Sequence, residues 1–273
     1  MALKLGIIAG GGELPGLAAS ACKAQGRDFH FLALSGHADP KVIGDDPVDW
    51  IRLGEAGTGF ERLRQAGVKD VVMIGPVRRP SLSELAPDFR TARFFARVGL
   101  KALGDDGLLR AVVAELEHEG FHVVGIDDVL ADCLAVAGQY GRLRPDAQAE
   151  ADICRGIEVA RGIGAMDIGQ AAVVQQGIVL GVEAIEGTDR LLERCGALAR
   201  EGVGGVLVKV KKPSQDRRID LPTIGLVTLE AASQAGLRGI AVQAGGALVL
   251  GRDAIAIEAD RLGLFVVGVE IDS

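Results

Sequence analysis

Short apolar runs alternate with helical patterns along the first half of the chain. Most of these runs end in glycine, which favours a tight turn from a strand into the following helix. The predicted strands are Leu3–Ala9, Phe29–Leu34, Trp50–Leu53, Val68–Ile74 and Phe121–Ile126, and the predicted helical stretches are Leu14–Gln25, Phe60–Ala66 and 81–120. Continuous apolar strands separated by helices are typical of a parallel sheet covered on both faces. The first half therefore predicts an α/β domain.

The second half resumes this alternation after a polar, glycine-containing segment, Gly138–Pro145. The predicted strands are Ala171–Gln175, Ile178–Ala184, Gly205–Lys209, Ile240–Gln243, Ala247–Leu250 and Phe265–Val269, and the predicted helices are Asp146–Arg161, Thr188–Arg200 and Leu226–Ala235. The first two strands flank Gln176-Gly177, which predicts a hairpin. We expect these strands to form a second sheet. The sequence thus predicts two α/β domains, over residues 1–135 and 146–273, joined by a linker over 136–145.

Composition and charge exclude several classes of protein. Of 273 residues, 48% are hydrophobic and 25% are charged, which excludes a disordered chain. A net charge of −7 argues against non-specific nucleic-acid binding. Four separated cysteines, no CxxC motif and only four histidines argue against structural zinc and fit a reduced, cytosolic protein. The N-terminal apolar run is too short for a signal peptide, and glutamines and glycines interrupt the most apolar long window, so we expect no membrane-spanning helix.

The first candidate site is the glycine turn after the first predicted strand. Gly10, Gly11 and Gly12 are followed by Glu13 and Leu14 at the start of a helix. Such a turn lets a ligand approach the backbone, and the helix N-terminus offers N–H groups to a phosphate. The dinucleotide fingerprint fits poorly, because Pro15 replaces its third small residue and no acidic residue ends the second strand. A glycine-rich connector without a ligand remains the alternative.

The second candidate lies between Met166 and Asp189. Glu183, Glu186, Thr188 and Asp189 fall within seven residues at a strand-to-helix transition. Oxygen ligands of this kind suit Mg²⁺ or Mn²⁺. The alternative is that Thr188 or Asp189 caps the helix while the glutamates are solvated.

The third candidate is a basic segment, KVKKPSQDRRIDLPTIG, at 209–225. Its cations surround an amide and two carboxylates, and the residues concerned are Lys209, Lys211, Lys212, Arg217, Arg218, Gln215, Asp216 and Asp220. Cations beside carboxylates suit phosphate binding with a metal or a general base. A solvated basic loop is the alternative. A smaller basic turn, GPVRRP at Gly75–Pro80, follows a strand end, where open α/β sheets bind ligands.

Taken together, GGGELPG, DIGQ…VEAIEGTD and KPSQDRRIDLPTIG resemble the LpxI family over essentially the whole chain. The resemblance implies an N-terminal Rossmann-like, nucleotide-binding domain and a distinct C-terminal α/β catalytic domain. It also implies metal-dependent hydrolysis of the pyrophosphate of UDP-2,3-diacylglucosamine, to UMP and 2,3-diacylglucosamine 1-phosphate (lipid X), in lipid A synthesis. The essential Asp of the family's DLPTIG motif falls on Asp220. One departure is Pro76, where the family's G-N-V-x-R-P turn has Asn.

These observations assign candidate residues to three roles. The catalytic candidates are Asp220, Gln215 and Arg218. The substrate-binding candidates are Gly10, Gly11, Gly12, Glu13, Leu14, Arg79, Gln170, Thr188, Lys209, Lys212 and Thr223. The candidate ligands of Mg²⁺ or Mn²⁺ are Asp220, Glu183, Glu186 and Asp189.

The resemblance also implies where the protein acts. We expect a cytoplasmic enzyme, peripherally associated with the inner leaflet of the cytoplasmic membrane, with an apolar groove for the acyl chains. A homodimer is compatible with the sequence but not required by it. Two other functions remain as alternatives, a Rossmann-type nucleotide-dependent oxidoreductase and a non-catalytic nucleotide-binding module.

Overall fold

The computed structural model of the chain describes residues 3–78, 87–98, 105–213, 218 and 221–271. These residues divide into two compact units. The first unit contains the described residues up to Ala131 together with Arg218, and the second contains the others, from Asp132 onward. Each unit is built on its own sheet.

The first unit contains a parallel sheet, as the sequence predicts. Its strands are β1 (Leu5–Ala9), β2 (Phe29–Leu34), β3 (Val48–Ile51), β4 (Asp70–Ile74) and β5 (His122–Val123), in the order β3-β2-β1-β4-β5. All four pairings are parallel. After β1, the chain adds β2 and β3 on one side of it. The chain then returns to the other side of β1, where it adds β4 and β5. The turns after β1 and β4 consequently lie side by side at the carboxyl edge.

The helices of the first unit include two short ones that periodicity did not predict. The helices are α1 (Leu14–Ala24), α2 (Pro40–Ile43), α3 (Ala56–Gln65), α4 (Phe89–Val98), α5 (Asp105–His118) and α6 (Ile126–Val129). Helix α2 replaces a predicted loop, because the Asp39 carboxylate caps it by accepting from the Lys41 N–H at 2.9 Å. The predicted strand Phe121–Ile126 is wrong beyond Val123, because Asp128 accepts from the Gly125 N–H and α6 begins at Ile126.

The second unit contains a mixed sheet. Its strands are β6 (Gly138–Gln139), β7 (Ala171–Gln175), β8 (Ile178–Val182), β9 (Val206–Lys209), β11 (Gly239–Gln243) and β13 (Phe265–Val269), in the order β6-β13-β11-β9-β7-β8. Strands β9, β11 and β13 are parallel, and β7 is antiparallel to β9. Strand β6 arises from the segment predicted as a linker, and it pairs with β13.

One predicted strand belongs to a different sheet. Ala247–Leu250 was expected in the second sheet, but β12 (Leu248–Val249) pairs in parallel with β10 (Thr223–Ile224) as a separate ribbon. The Leu248 N–H donates to the Pro222 carbonyl at 2.8 Å, and the Leu250 N–H donates to that of Ile224 at 3.0 Å. Thr223, in this ribbon, also accepts from the ammonium of Lys209 at 3.0 Å and so lies beside the end of β9.

Helices cover both faces of the second sheet. They are α7 (Ala147–Ala165), α8 (Gly187–Gly196), α9 (Leu226–Gln234) and α10 (Arg252–Leu262), of which α10 was not predicted. Asp146 begins α7, as predicted, by accepting from the Ala149 N–H. Because strand side chains alternate, Val206 and Val208 pack with α7, whereas Leu207 packs with the helices of the other face.

The predicted hairpin between β7 and β8 is confirmed. Gln176 and Gly177 have φ angles of +52° and +77°, as this tight turn requires. The buried carboxylate of Asp152, on α7, accepts from both turn N–H groups, at 3.0 and 2.6 Å. The hairpin is therefore fixed in register against α7.

Candidate active site

The glycine turn after β1 packs directly against the turn after β4. The Gly10 N–H donates to the Ile74 carbonyl at 2.8 Å, and the Gly11 N–H donates to that of Pro76 at 2.9 Å. A Cβ at Gly10 would lie 2.5 Å from the Gly75 oxygen, so this position requires glycine. The backbone of the turn after β4 therefore approaches Gly10 and Gly11 as closely as a ligand was expected to. The N–H groups of these two glycines already donate to the carbonyl groups of Ile74 and Pro76.

The remainder of the turn is open. Gly12 has a φ of +74°, and it and Glu13 are exposed. Glu13 stands at the N-cap of α1 but makes no capping hydrogen bond with its side chain. Within the described part of the chain, no acceptor engages the N–H groups of Gly12, Glu13 or Leu14. These three, rather than Gly10 and Gly11, offer donors to an anion.

Backbone pairing brings three segments of the second unit together at the carboxyl edge of β9. Ala171, at the start of β7, is the partner of Lys209, and the Val210 N–H donates to the Gln170 carbonyl at 3.0 Å. The Glu183 N–H donates to the Ala171 carbonyl at 2.8 Å. Candidates that lie far apart in sequence, Gln170, Glu183 and Lys209, therefore share one edge.

Glu183 ties two of these segments together. Its buried carboxylate accepts from the Thr188 hydroxyl at 2.6 Å and from the Gln170 N–H at 3.1 Å. The N-cap of α8 is Glu186, so the interpretation of Thr188 or Asp189 as the cap is wrong. Thr188 instead fixes the first turn of α8 to Glu183.

The other acidic candidates are placed differently. Glu186 forms an ion pair with Arg194 at 2.8 Å, and hydrogen bonds from its own backbone N–H and from Arg194 lower its pKa. Asp189 is exposed in the first turn of α8. Within the described ranges, no group of three or more His, Cys, Asp or Glu side chains could hold a metal ion. Glu183 and Glu186 already have partners, so the described residues alone do not fit a Mg²⁺ site.

Lys209 is a buried cation. It is 7% exposed, and its ammonium donates to the Thr223 carbonyl at 3.0 Å. Among the residues that the structure describes, no carboxylate lies within ion-pair distance of it. A buried ammonium with three donors and one neutral acceptor is costly unless an anion completes its surroundings. Thr223 contributes its carbonyl, because its hydroxyl donates to Leu221.

Gln170 is also incompletely paired. Its side-chain oxygen, Oε1, is buried and has no hydrogen-bond partner in the part of the chain that the structure describes. Native structures rarely leave such a group unpaired. Gln170 and Lys209 are thus two polar groups at one strand edge that a ligand could satisfy.

Two residues that sequence reasoning missed support this edge. Asp167 pairs with Lys212, with 2.6 Å between Oδ1 and Nζ. Gln243, at the end of β11, accepts from the Lys211 N–H at 3.0 Å. Asp167 lies within the MDIGQ segment that the sequence singled out, and Gln243 could have been found from its place at the end of a parallel strand.

The remaining candidates lie elsewhere. Arg218 belongs to the first unit and pairs with Glu117, with 2.7 Å between Nη1 and Oε1. Asp220, Gln215 and Arg79 lie outside the described residues.

Fold and site define a two-domain α/β protein in which a buried cation at the strand ends of the second domain has no carboxylate partner among the described residues, an arrangement suited to an anionic ligand. Comparison with known proteins identifies the family. The LpxI N-terminal domain matches residues 4–133, and the LpxI C-terminal domain matches residues 136–267. The chain therefore belongs to the LpxI family. It is 44% identical, over 98% of both chains, to the UDP-2,3-diacylglucosamine pyrophosphatase LpxI of Caulobacter vibrioides.

Proposed function

We propose that this chain hydrolyses the pyrophosphate bond of UDP-2,3-diacylglucosamine to UMP and lipid X. The observation that carries the proposal is the 44% identity to the Caulobacter pyrophosphatase over 98% of both chains. In this reaction water attacks the phosphorus on the sugar side, the bond from that phosphorus to the bridging oxygen breaks, and UMP leaves. An oxidoreductase is disfavoured, because no acidic residue ends β2 to bind a ribose hydroxyl.

Lys209 supports a diphosphate substrate. An anion beside its ammonium would supply a counter-charge that no described residue provides, in a water-poor environment where such a contact is strong. Lys212 follows three residues later and also carries a positive charge at this edge. We assign both lysines to phosphate oxygens; in the first unit, the N–H groups of Gly12, Glu13 and Leu14 are candidate donors to an anion.

An exposed apolar rim supports the lipid part of the substrate. Met166, Ile168 and Ile185 are exposed, and the segments that carry them flank Gln170 and Glu183. The segments are held closely together, since a Cβ at Gly169 would lie 2.1 Å from the Glu183 carbonyl oxygen. We assign this rim to acyl chains, which accords with peripheral association with a membrane. No helix among the described residues is long and apolar enough to cross a bilayer.

Metal dependence is part of the proposal. The carboxylate assigned to Mg²⁺ or Mn²⁺, or to the attacking water, is Asp220, with Gln215 and Arg218 beside it in sequence. When bound, such a cation would neutralise charge that develops on the phosphate oxygens. Glu183 instead has a structural role, because its hydrogen bonds from Thr188 and from the Gln170 N–H connect the segments at the carboxyl edge of β9.

The test is incubation of the purified protein with UDP-2,3-diacylglucosamine, followed by phosphorus NMR. We expect UMP and lipid X to appear, oxygen from labelled water to enter lipid X, and EDTA to stop turnover until Mg²⁺ or Mn²⁺ is restored. Release of UDP would instead indicate cleavage of the glycosidic bond. Turnover that is unaffected by EDTA would remove the metal from the proposal. Absence of hydrolysis would favour a non-catalytic nucleotide-binding module.

A further inference from the structure

Asp167 has an unusual backbone conformation at the end of α7. Its φ is +55°, and Gln176 in the hairpin turn is the one other described non-glycine residue with a positive φ. The Asp167 N–H donates to the Gly164 carbonyl, and the Ile168 N–H donates to that of Ile163, so this residue terminates the helix. Glycine is the usual residue in such a helix end, since it adopts the left-handed conformation without strain. A side chain at this position therefore calls for an explanation.

The Asp167 side chain holds Lys212. The distance from Oδ1 to Nζ is 2.6 Å, and both side chains are largely shielded from solvent. The backbone of Lys212 packs closely against the end of α7, since a Cβ at Gly164 would lie 3.3 Å from the Lys212 Cα. The Lys211 N–H is fixed from the other side by Gln243. Lys212 is thus held at both its backbone and its ammonium.

We propose that Asp167 is a positioning residue that directs the Lys212 ammonium toward a phosphate group of the substrate. A lysine stem has four flexible bonds, and ordering it on binding costs conformational entropy. A carboxylate that orders the stem in advance removes this cost from the binding step. The inference rests on the proposed function, in which Lys212 contacts a phosphate oxygen.

Asp167→Asn is the informative variant. Asparagine tolerates the left-handed conformation as well as aspartate does, so the helix end is kept while the charge is lost. We expect KM for the diphosphate substrate to rise about tenfold, in the range of a coupled pair, with kcat and the melting temperature nearly unchanged. Lys212→Met should raise KM at least as much. The double variant should be no worse than Lys212→Met alone, because Asp167 acts through Lys212.

The matched control is Asp260→Asn, which removes a carboxylate that accepts from the Arg142 N–H and guanidinium in the same unit. This control should leave KM unchanged. The inference is overturned if Asp167→Asn raises KM by the same factor with and without Lys212, or if it lowers only the melting temperature. A parent protein that does not hydrolyse the substrate overturns the proposed function itself. If the parent is active but the effects of the Asp167 and Lys212 substitutions on KM combine independently in the double variant, only the role of Asp167 is overturned.

Discussion

At the scale of single residues, Lys209 is where burial and charge conflict most clearly. Replacing it with methionine keeps the length and apolar character of the stem and removes a buried charge that no carboxylate of the described residues pairs. We expect the melting temperature of Lys209→Met to stay the same or rise, because an uncompensated buried cation destabilises a fold. KM for the diphosphate substrate should rise at least about tenfold, the scale of a charge-assisted hydrogen bond.

The control for this variant is Lys69→Met, which removes an exposed lysine of the first unit and should change neither quantity. Kinetics and thermal melting of the two variants check the prediction together. A Lys209→Met protein that melts lower and binds substrate normally would make this lysine a purely structural residue.

Asp220 carries a separate prediction, which comes from its place in the family motif. Asp220→Asn should lower kcat at least about 100-fold, the contribution of a positioned acid–base or ligand group. Substrate binding should survive, because the substitution removes a negative charge that would repel the pyrophosphate. Single-turnover kinetics and equilibrium binding of the uncleaved substrate measure the two effects. A folded variant with the parental kcat would contradict the catalytic assignment of Asp220.

At the scale of elements, the glycine turn after β1 has a structural role of its own. In Gly10→Ala the new methyl group would meet the Gly75 carbonyl oxygen, which is backbone and cannot rotate away. The turns after β1 and β4 would have to separate, at a cost of roughly 1–3 kcal/mol, or a melting temperature lower by about 2–10 °C. Gly162→Ala is the control, since a Cβ in that part of α7 meets nothing within 4 Å and alanine favours a helix. An unaltered melting temperature for Gly10→Ala would contradict this packing.

Most of the longer elements were predictable from sequence, although the 11-residue helix α10 was missed. Strands such as β1 and β7 are continuous apolar runs bounded by glycine or polar residues, so local pattern suffices. Elements of two to four residues, such as β6, β12 and α2, were missed or misassigned, because pairing with distant segments or a single cap defines them. In the candidate site, likewise, the sequence indicated which residue types are present but not which partners they contact. The residue types of Lys209 and Glu183 indicated their chemistry, but the hydrogen bond from Lys209 to Thr223 was not predictable, because Thr223 lies in a separate ribbon.

At the scale of the whole molecule, carboxylates with hydrogen-bond partners make the free energy of unfolding depend on pH. Burial raises the pKa of Glu119. Hydrogen bonds from Arg64 and Arg90 lower this pKa by more than burial raises it, so the net shift is downward. Asp88 follows the same pattern, with the N–H groups of Thr91 and Gly57 as donors. Hydrogen bonds from the backbone N–H and side chain of Arg142 likewise lower the pKa of Asp260. In each case the folded state binds a proton less readily than the unfolded chain does.

The sign of the effect follows from this difference. A carboxyl group whose pKa is depressed on folding contributes stability above its unfolded pKa, and that contribution is lost as the pH falls through the folded value. The ordinary values are 3.8 for Asp and 4.5 for Glu. We therefore expect these carboxylates to leave the urea midpoint unchanged from pH 7 to about pH 5 and to lower it progressively below about pH 4.5. Glu119→Gln should be less stable than the parent at pH 7, and the difference should narrow toward pH 3 as the parental carboxyl group is protonated. Equal acid sensitivity in the two proteins would show that the Arg64 and Arg90 contacts do not contribute to stability.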